Sequence, residues 1–250
     1  MTLNNLFQHR SIRRYKSQEI PEKDLELILE AATRASTTGN IQAYSIVVSR
    51  EPSLRAELRK AHFNQAMVEQ APVHLTFCAD FHRFSEWCRL RGAEPGYDNF
   101  LSFSTAAIDA VLASQNAALA AETLGYGICY LGTVTYMADR FVELLRLPQG
   151  VVPVAALVLG VPDEDPPVTD RLPMEAVVHW ETYQEPGPER VAEFYESKEA
   201  NPDYQKFVSQ NGLPSLAHVF TDVRYKKADN LAFSRRFLDL IAQQGFMNNG

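Results

Sequence analysis

The chain has 250 residues, 46% of them apolar and 22% charged, proportions that exclude disorder and fibrous repeats and allow a core needing no metal or disulfide staple. A formal charge of −7 and a pI near 5.4 argue against a dedicated nucleic-acid binder or a polybasic membrane binder. Three cysteines, Cys78, Cys88 and Cys129, speak against a disulfide framework, and the apolar run at 151–161 is too short for a membrane span.

The opening residues lack the basic-then-apolar order of a secretory signal, so a soluble protein of a reducing, cytoplasmic compartment is expected. Leu3, Leu6 and Phe7 predict a short helix ahead of His9. Residues 21–35 predict a second, with Pro21 in its first turn, Glu22 and Asp24 complementing the dipole, and Leu25, Ile28, Leu29 and Ala32 as its stripe. Residues 36–40 end it, and 44–48 read as a strand. A charged helix near 54–61 leads to a strand at 73–79. The alanine-dense stretch 105–124 predicts a helix in a crowded centre, stopped by Gly125. A short strand at 127–131, a helix at 138–145 and a buried strand at 151–159 complete an α+β layered domain.

Composition changes after Gly160. Pro162, Pro166, Pro167 and Pro173 mark an irregular segment. Helices at 188–198 and 228–244 are then separated by the Asn- and Pro-containing stretch 201–214. This polar remainder reads as an extension lying on the main body or on a second subunit.

Four segments carry candidate chemistry. His9-Arg10-Ser11-Ile12-Arg13-Arg14-Tyr15 gathers three guanidiniums, a hydroxyl and an imidazole in an acidic chain. Arginine binds phosphate through paired charge-assisted hydrogen bonds. Spacing alone favours a plainer account, cations complementing the C-terminus of the opening helix and pairing with surface carboxylates. The second segment, residues 37–45, offers small hydroxyls and an amide at a helix-to-strand junction, where ordinary turn chemistry also places them. The third, residues 125–133, fails the G-x-G-x-x-G spacing and follows a helix, so it is no Rossmann site. It leaves a glycine-lined strand that a planar group can approach. The fourth is Arg171 in Arg171-Leu172-Pro173.

Cys78, His82 and Cys88 match no zinc pattern, and Cys78 reads as a small buried hydrophobe. Asp109, Gln115 and Glu122 read as interior polar residues bonded to neighbouring backbone.

Taken in order, H-R-S-I-R at 9–13, Ser36-Thr37 through Gln42-Ala43-Tyr44-Ser45, Gln65 in N-Q-x-x-V, C-A-D-F at 78–81, A-x-Q-N-A-x-x-A-A-E-x-L-G ending at Gly125, Y-L-G at 130–132 and R-L-P at 171–173 resemble the flavin-dependent nitroreductases. Within that family the chain is most similar to the FMN-dependent NADPH nitro/flavin reductase branch. The resemblance runs from about residue 3 to 179 and continues loosely beyond.

It implies a single domain over 1–250 with a mainly antiparallel sheet flanked by helices. It further implies an intertwined homodimer with FMN at each interface, residues 1–175 forming the FMN-binding body and 176–250 an extension packing on the partner subunit. By position, His9, Arg10, Ser11 and Arg171 would hold the FMN phosphate, and Arg13 would sit near the N1/O2 side of the ring. Thr38, Gln42 and Gln65 would contact its polar edges or ribityl chain, with Tyr130, Leu131 and Gly132 beside it. The cofactor would carry the redox chemistry, so no catalytic side chain and no metal are expected. NADPH or NADH would give two electrons before a nitroaromatic, quinone or free flavin takes them at the same face, a ping-pong scheme.

Arg235 and Arg236 are candidates for the 2′-phosphate of NADPH, as are Arg224, Lys226 and Lys227, although a solvated helix face explains these charges equally well. Two residues depart from the family pattern: Thr169, where lysine is common, and Thr133, where a second glycine is usual. They keep open a flavin-binding or flavin-sequestering protein with little reductase activity. Residues 93–103 read as a mobile cover over the acceptor site or as a surface loop.

Overall fold

Strands β1 (Tyr44–Ser49), β2 (Val73–Asp80), β3 (Gly127–Tyr130) and β4 (Val151–Gly160) form one antiparallel sheet in the order β1-β2-β4-β3 in this computed structural model, which describes residues 3–248. The two central strands are β2 and β4, and every residue of β2 is buried. Pro153 has no N–H to give the ladder, and the β2–β4 register slips between Phe77 and Cys78, where Cys78 faces that proline.

Twelve helices intervene or follow among the described residues: α1 (Leu3–Phe7), α2 (Glu22–Thr33), α3 (Pro52–Ala61), α4 (Met67–Gln70), α5 (His82–Leu90), α6 (Phe100–Thr123), α7 (Thr133–Tyr136), α8 (Ala138–Leu145), α9 (Pro188–Glu199), α10 (Pro202–Gln210), α11 (Leu216–His218) and α12 (Lys227–Gln243). One face of the sheet packs Ile20, the α2 stripe of Leu25, Ile28 and Ala32, and the α6 alanines at 110, 113, 117, 118 and 121 against Leu75, Phe77 and Leu157. The absence of bulk on α6 lets helix and sheet approach closely, the crowded centre expected of its composition. Leu58, Val68, Val134 and Phe141, from α3, α4, α7 and α8, cover the other face around Val158. Each of the larger apolar side chains among these contributes about 1.5–3 kcal/mol by leaving water.

Several element bounds differ from expectation. α6 starts at Phe100, because the Asn99 side chain caps it by accepting from the Ser102 amide. Residues 100–103 are therefore helical. Tyr97 stacks on Phe81 at 4.7 Å and 9° just ahead of the helix. α5 forms where no helix was expected, and only its Cys88 is buried. The stretch 201–214 is largely helical too, with Pro202 at the start of α10 and the Asn201 side chain accepting from the Asp203 amide.

The chain divides into two compact units. One comprises residues up to Pro167 together with those from Phe233 onward; the other is Val168–Ala232. Within the second unit Phe194, Leu216 and Val219 are buried. There the Asp170 carboxylate accepts from Lys198 Nζ at 2.8 Å and from the Tyr204 hydroxyl at 2.9 Å. The Lys198 bond foremost holds the Asp170 pKa below the usual range, and the same bond raises that of Lys198. The three cysteines are free and buried. No helix of the described residues is long and apolar enough to cross a membrane.

Candidate functional site

The basic segment runs along the outer edge of β3. Ser11 forms an isolated parallel bridge with Ile128, and the Ile12 amide donates to the Ile128 carbonyl at 2.8 Å. Farther along, the Lys16 amide donates to Val161 at 2.9 Å, and the Asp163 amide to Arg14 at 2.9 Å. Gly127 permits this approach, since a Cβ there would lie 2.7 Å from Cγ1 of Ile12. The Glu164 carboxylate accepts from the Arg13 amide at 2.5 Å, the Arg14 amide at 3.1 Å and Arg14 Nε at 3.0 Å. These bonds, that of the Arg13 amide first, pull its pKa below the usual carboxylate range.

The cations of the segment are engaged differently. His9 Nδ1 lies 2.6 Å from the Glu122 carboxylate of α6. Arg10 Nη1 pairs with Asp165 at 2.8 Å and donates to the Pro166 carbonyl at 3.0 Å. Among the described residues, the Ser11 hydroxyl and the Arg13 guanidinium make no hydrogen bond or ion pair, and Arg13 is exposed. A pocket of about 220 Å³ beside Arg10 is also lined by Glu122, Glu164 and Asp165. Three carboxylates against one guanidinium make that pocket unfit for a phosphate.

β3 leads into a glycine turn. The Leu131 amide still donates to the Ala156 carbonyl at 2.9 Å, which fixes the backbone just before exposed Gly132. A Cβ on Gly132 would meet nothing within 4 Å, so the space beside it is open. The Tyr130 hydroxyl donates to Ser114 Oγ on α6 at 3.1 Å; burial raises its pKa. Gln65 comes to the same turn, its Nε2 donating to Thr133 Oγ1 at 3.3 Å. It follows Phe63 and Asn64, both left-handed with φ of 54° and 60°, a conformation uncommon for residues other than glycine.

Thr38 and Gln42 lie on the loop between α2 and β1. Gly39, Asn40 and Gln42 all have positive φ there, at 56°, 55° and 58°. The Asp109 carboxylate of α6 organises the loop by accepting from the Thr38 amide at 2.9 Å and the Ala43 amide at 3.2 Å. It is buried and bonds to backbone, as expected of an interior polar residue. Gln115, expected beside it, is exposed, because it falls on the outer side of α6. Glu122 bonds a side chain, that of His9.

The structure thus brings His9, Arg10, Ser11, Arg13, Tyr130, Leu131, Gly132 and Gln65 around β3, with Thr38 and Gln42 on a loop anchored to α6. Arg171 belongs to the second unit, where it donates to the Thr169 and Asp170 carbonyls at 3.2 and 2.9 Å. Arg235 is exposed. Arg236 grips Asp139 through both carboxylate oxygens, at 2.9 and 2.6 Å. Asp109, Thr133 and His62 carry weight in the site that spacing did not assign them.

The donor set suits a flavin phosphate. A phosphate monoester carries about −1.5 to −2 charges and three acceptor oxygens; Ser11 offers it a hydroxyl that nothing else in the described chain uses, and the equally unused Arg13 guanidinium offers a cation to the electron-rich edge of the ring. Gly132 adds an open backbone surface for a planar ring.

The nitroreductase family model matches residues 6–161. The chain is 35% identical over 184 residues, 73% of its length and 74% of the relative's, to "FMN reductase (NADPH)" of Bacillus subtilis. It is 34% identical over 207 residues, 80% of its length and 85% of the relative's, to "Oxygen-insensitive NADPH nitroreductase" of Salmonella typhimurium. Among solved structures, a Bacteroides fragilis protein superposes with a TM-score of 0.96 at 43% identity, covering 98% of this chain and 100% of the other.

Proposed function

Because the chain belongs to the nitroreductase family, we propose that it is an FMN-dependent oxidoreductase that passes two electrons from NADPH or NADH to nitroaromatics, quinones or free flavin. The observation that carries this reading is its 35% identity, over 73% of its length, to an FMN reductase that uses NADPH. FMN, when bound, supplies the two-electron chemistry.

The chain's own residues bind and orient. His9, Arg10 and Ser11, with Arg171, would hold the phosphate; Arg10 would exchange exposed Asp165 for it. The Arg13 guanidinium, on a backbone held by the Glu164 carboxylate, would favour added electron density at the N1/O2 side of the ring. Thr38, Gln42 and Gln65 would take the polar edges, and Tyr130, Leu131 and Gly132 would flank the plane. Arg235 and Arg236 would meet the donor's 2′-phosphate.

The working unit would be a cytoplasmic homodimer, with the region after residue 175 reaching onto the partner subunit. Leu101, Ile108, Val111 and Leu112 leave an exposed apolar face on α6, and Met174, Val177, Trp180 and Tyr183 are exposed in the second unit. Apolar side chains gathered in this way support association.

The test is anaerobic mixing of FMN-loaded protein with NADPH or NADH while flavin absorbance is followed. Rapid bleaching is expected, and the faster nucleotide identifies the donor. Protein that stays yellow with both would leave flavin binding without reductase activity.

A further inference from the structure

From Thr133, in the turn after β3, a chain of side chains runs into the core. Thr133 Oγ1 lies 2.6 Å from His62 Nδ1, His62 Nε2 lies 3.0 Å from His74 Nε2, and His74 Nδ1 lies 3.4 Å from Thr76 Oγ1. His62, His74 and Thr76 are fully buried, and Phe141 meets His62 edge-on at 4.9 Å. Burial holds both imidazoles neutral at pH 7: it pushes the pKa of His62 down to about 3, with the neighbouring His74 ring adding to the shift, and that of His74 down to about 4, against a hydrogen bond to its own backbone that raises it and with Arg55 lowering it further. Each ring therefore carries one N–H and one acceptor nitrogen.

Only two directions of hydrogen bonding satisfy such a chain. If it ran inward, His74 Nδ1–H would donate to Thr76, and the Thr76 O–H, with no other partner among the described residues, would be stranded in the core. Run outward, every buried donor is used. Thr76 O–H donates to His74 Nδ1, His74 Nε2–H to His62 Nε2, and His62 Nδ1–H to Thr133 Oγ1. The cost of an unsatisfied buried hydroxyl selects the outward direction. Thr133 Oγ1 then accepts from His62 and also from Gln65 Nε2 at 3.3 Å, which fills both lone pairs and leaves its O–H as a donor only.

We propose that Thr133 is a ligand-binding residue presenting a fixed hydroxyl donor beside Gly132, and that His62 is a positioning residue setting its direction from within the core. Resting on the FMN reading, this donor takes an acceptor atom of the bound flavin, at a position where the family pattern has a glycine with no side chain to offer.

The experiment has two arms. Side-chain 15N NMR of the full-length protein, with and without FMN, reports the histidine tautomers directly. His62 is expected as the Nδ1–H form and His74 as the Nε2–H form; the reverse pair would overturn the proposal whatever the protein's activity. In the second arm, FMN is titrated into T133V and T133S by fluorescence quenching. T133V is expected to bind about tenfold more weakly, the loss of one good hydrogen bond, with T133S within about twofold of wild type. Wild type and T133V binding FMN equally would remove the donor while leaving the flavin reading intact. Wild type that binds no FMN would end that reading and the ligand assigned here.

Discussion

Gly127 and Ile12 sit so close that no methyl group fits between them: a Cβ on the glycine would come within 2.7 to 2.9 Å of three Ile12 side-chain carbons. Ile12 lies in the middle of the basic segment, so an alanine at 127 must push that segment off the sheet edge. Gly127→Ala is expected to destabilise by about 1–3 kcal/mol, the usual cost of overpacking, lowering the melting temperature by several degrees. FMN affinity should fall with it. Wild-type melting and titration would show that the segment yields without cost.

Arg10 and Arg236 carry the same charge in different settings. Arg10 pairs with exposed Asp165, while Arg236 is gripped by Asp139. Arg10→Ala should weaken FMN retention about tenfold or more, through the loss of one charge-assisted pair. Arg236→Ala should leave FMN bound and alter NADPH affinity. Equal flavin loss in the two variants, measured by equilibrium dialysis, would contradict this division.

The acid limb of stability should belong largely to the histidine pair. Folded His62 and His74 titrate near 3 and 4, far below the ordinary 6.5. Below about pH 6.5 the unfolded chain therefore binds more protons than the folded one. Their contribution is complete above that pH and is lost progressively as the pH falls towards 4 and then 3. Melting temperatures taken between about pH 7 and 4.5 should drop, with a shallower slope in His62→Gln. Parallel curves would assign the acid limb to other groups.

Asp109 is the anchor of the 37–43 loop. Asp109→Asn places an amide N–H among amides that need an acceptor, and the loss is expected to be about 1–3 kcal/mol. Amide exchange at Thr38 and Ala43 should quicken well beyond that of the β2 core. Unchanged protection at both positions would show that the loop holds its shape without the carboxylate.

Local patterns made much of this legible. The alanines of α6 announced a closely packed helix, and the apolar runs of β2 and β4 announced buried strands. α5 escaped notice because only Cys88 of its nine residues is buried, so it has almost no stripe to read; Phe84, Trp87 and Cys88 were the available signal. α10 was hidden by reading Asn201-Pro202 as a breaker, although an Asn cap followed by proline is also how helices begin. The site was legible as segments and not as connections. Thr38 and Asp109 are 71 positions apart, as are His62 and Thr133, and nothing local to either partner specifies the other. The Thr133 departure was visible, but its meaning lies in the two histidines behind it.

The segment that carries Ser11 and Arg13 also covers the side of β3 that faces away from β4, with the Ile12 amide on Ile128. An uncovered strand edge is a template for pairing with another chain, and charged residues along it are one of the ways proteins blunt it. Loosening this segment would therefore do more than release a ligand: it would uncover a sticky border. Mutations that weaken its attachment should reveal themselves first as aggregation during expression, before any change in chemistry can be measured.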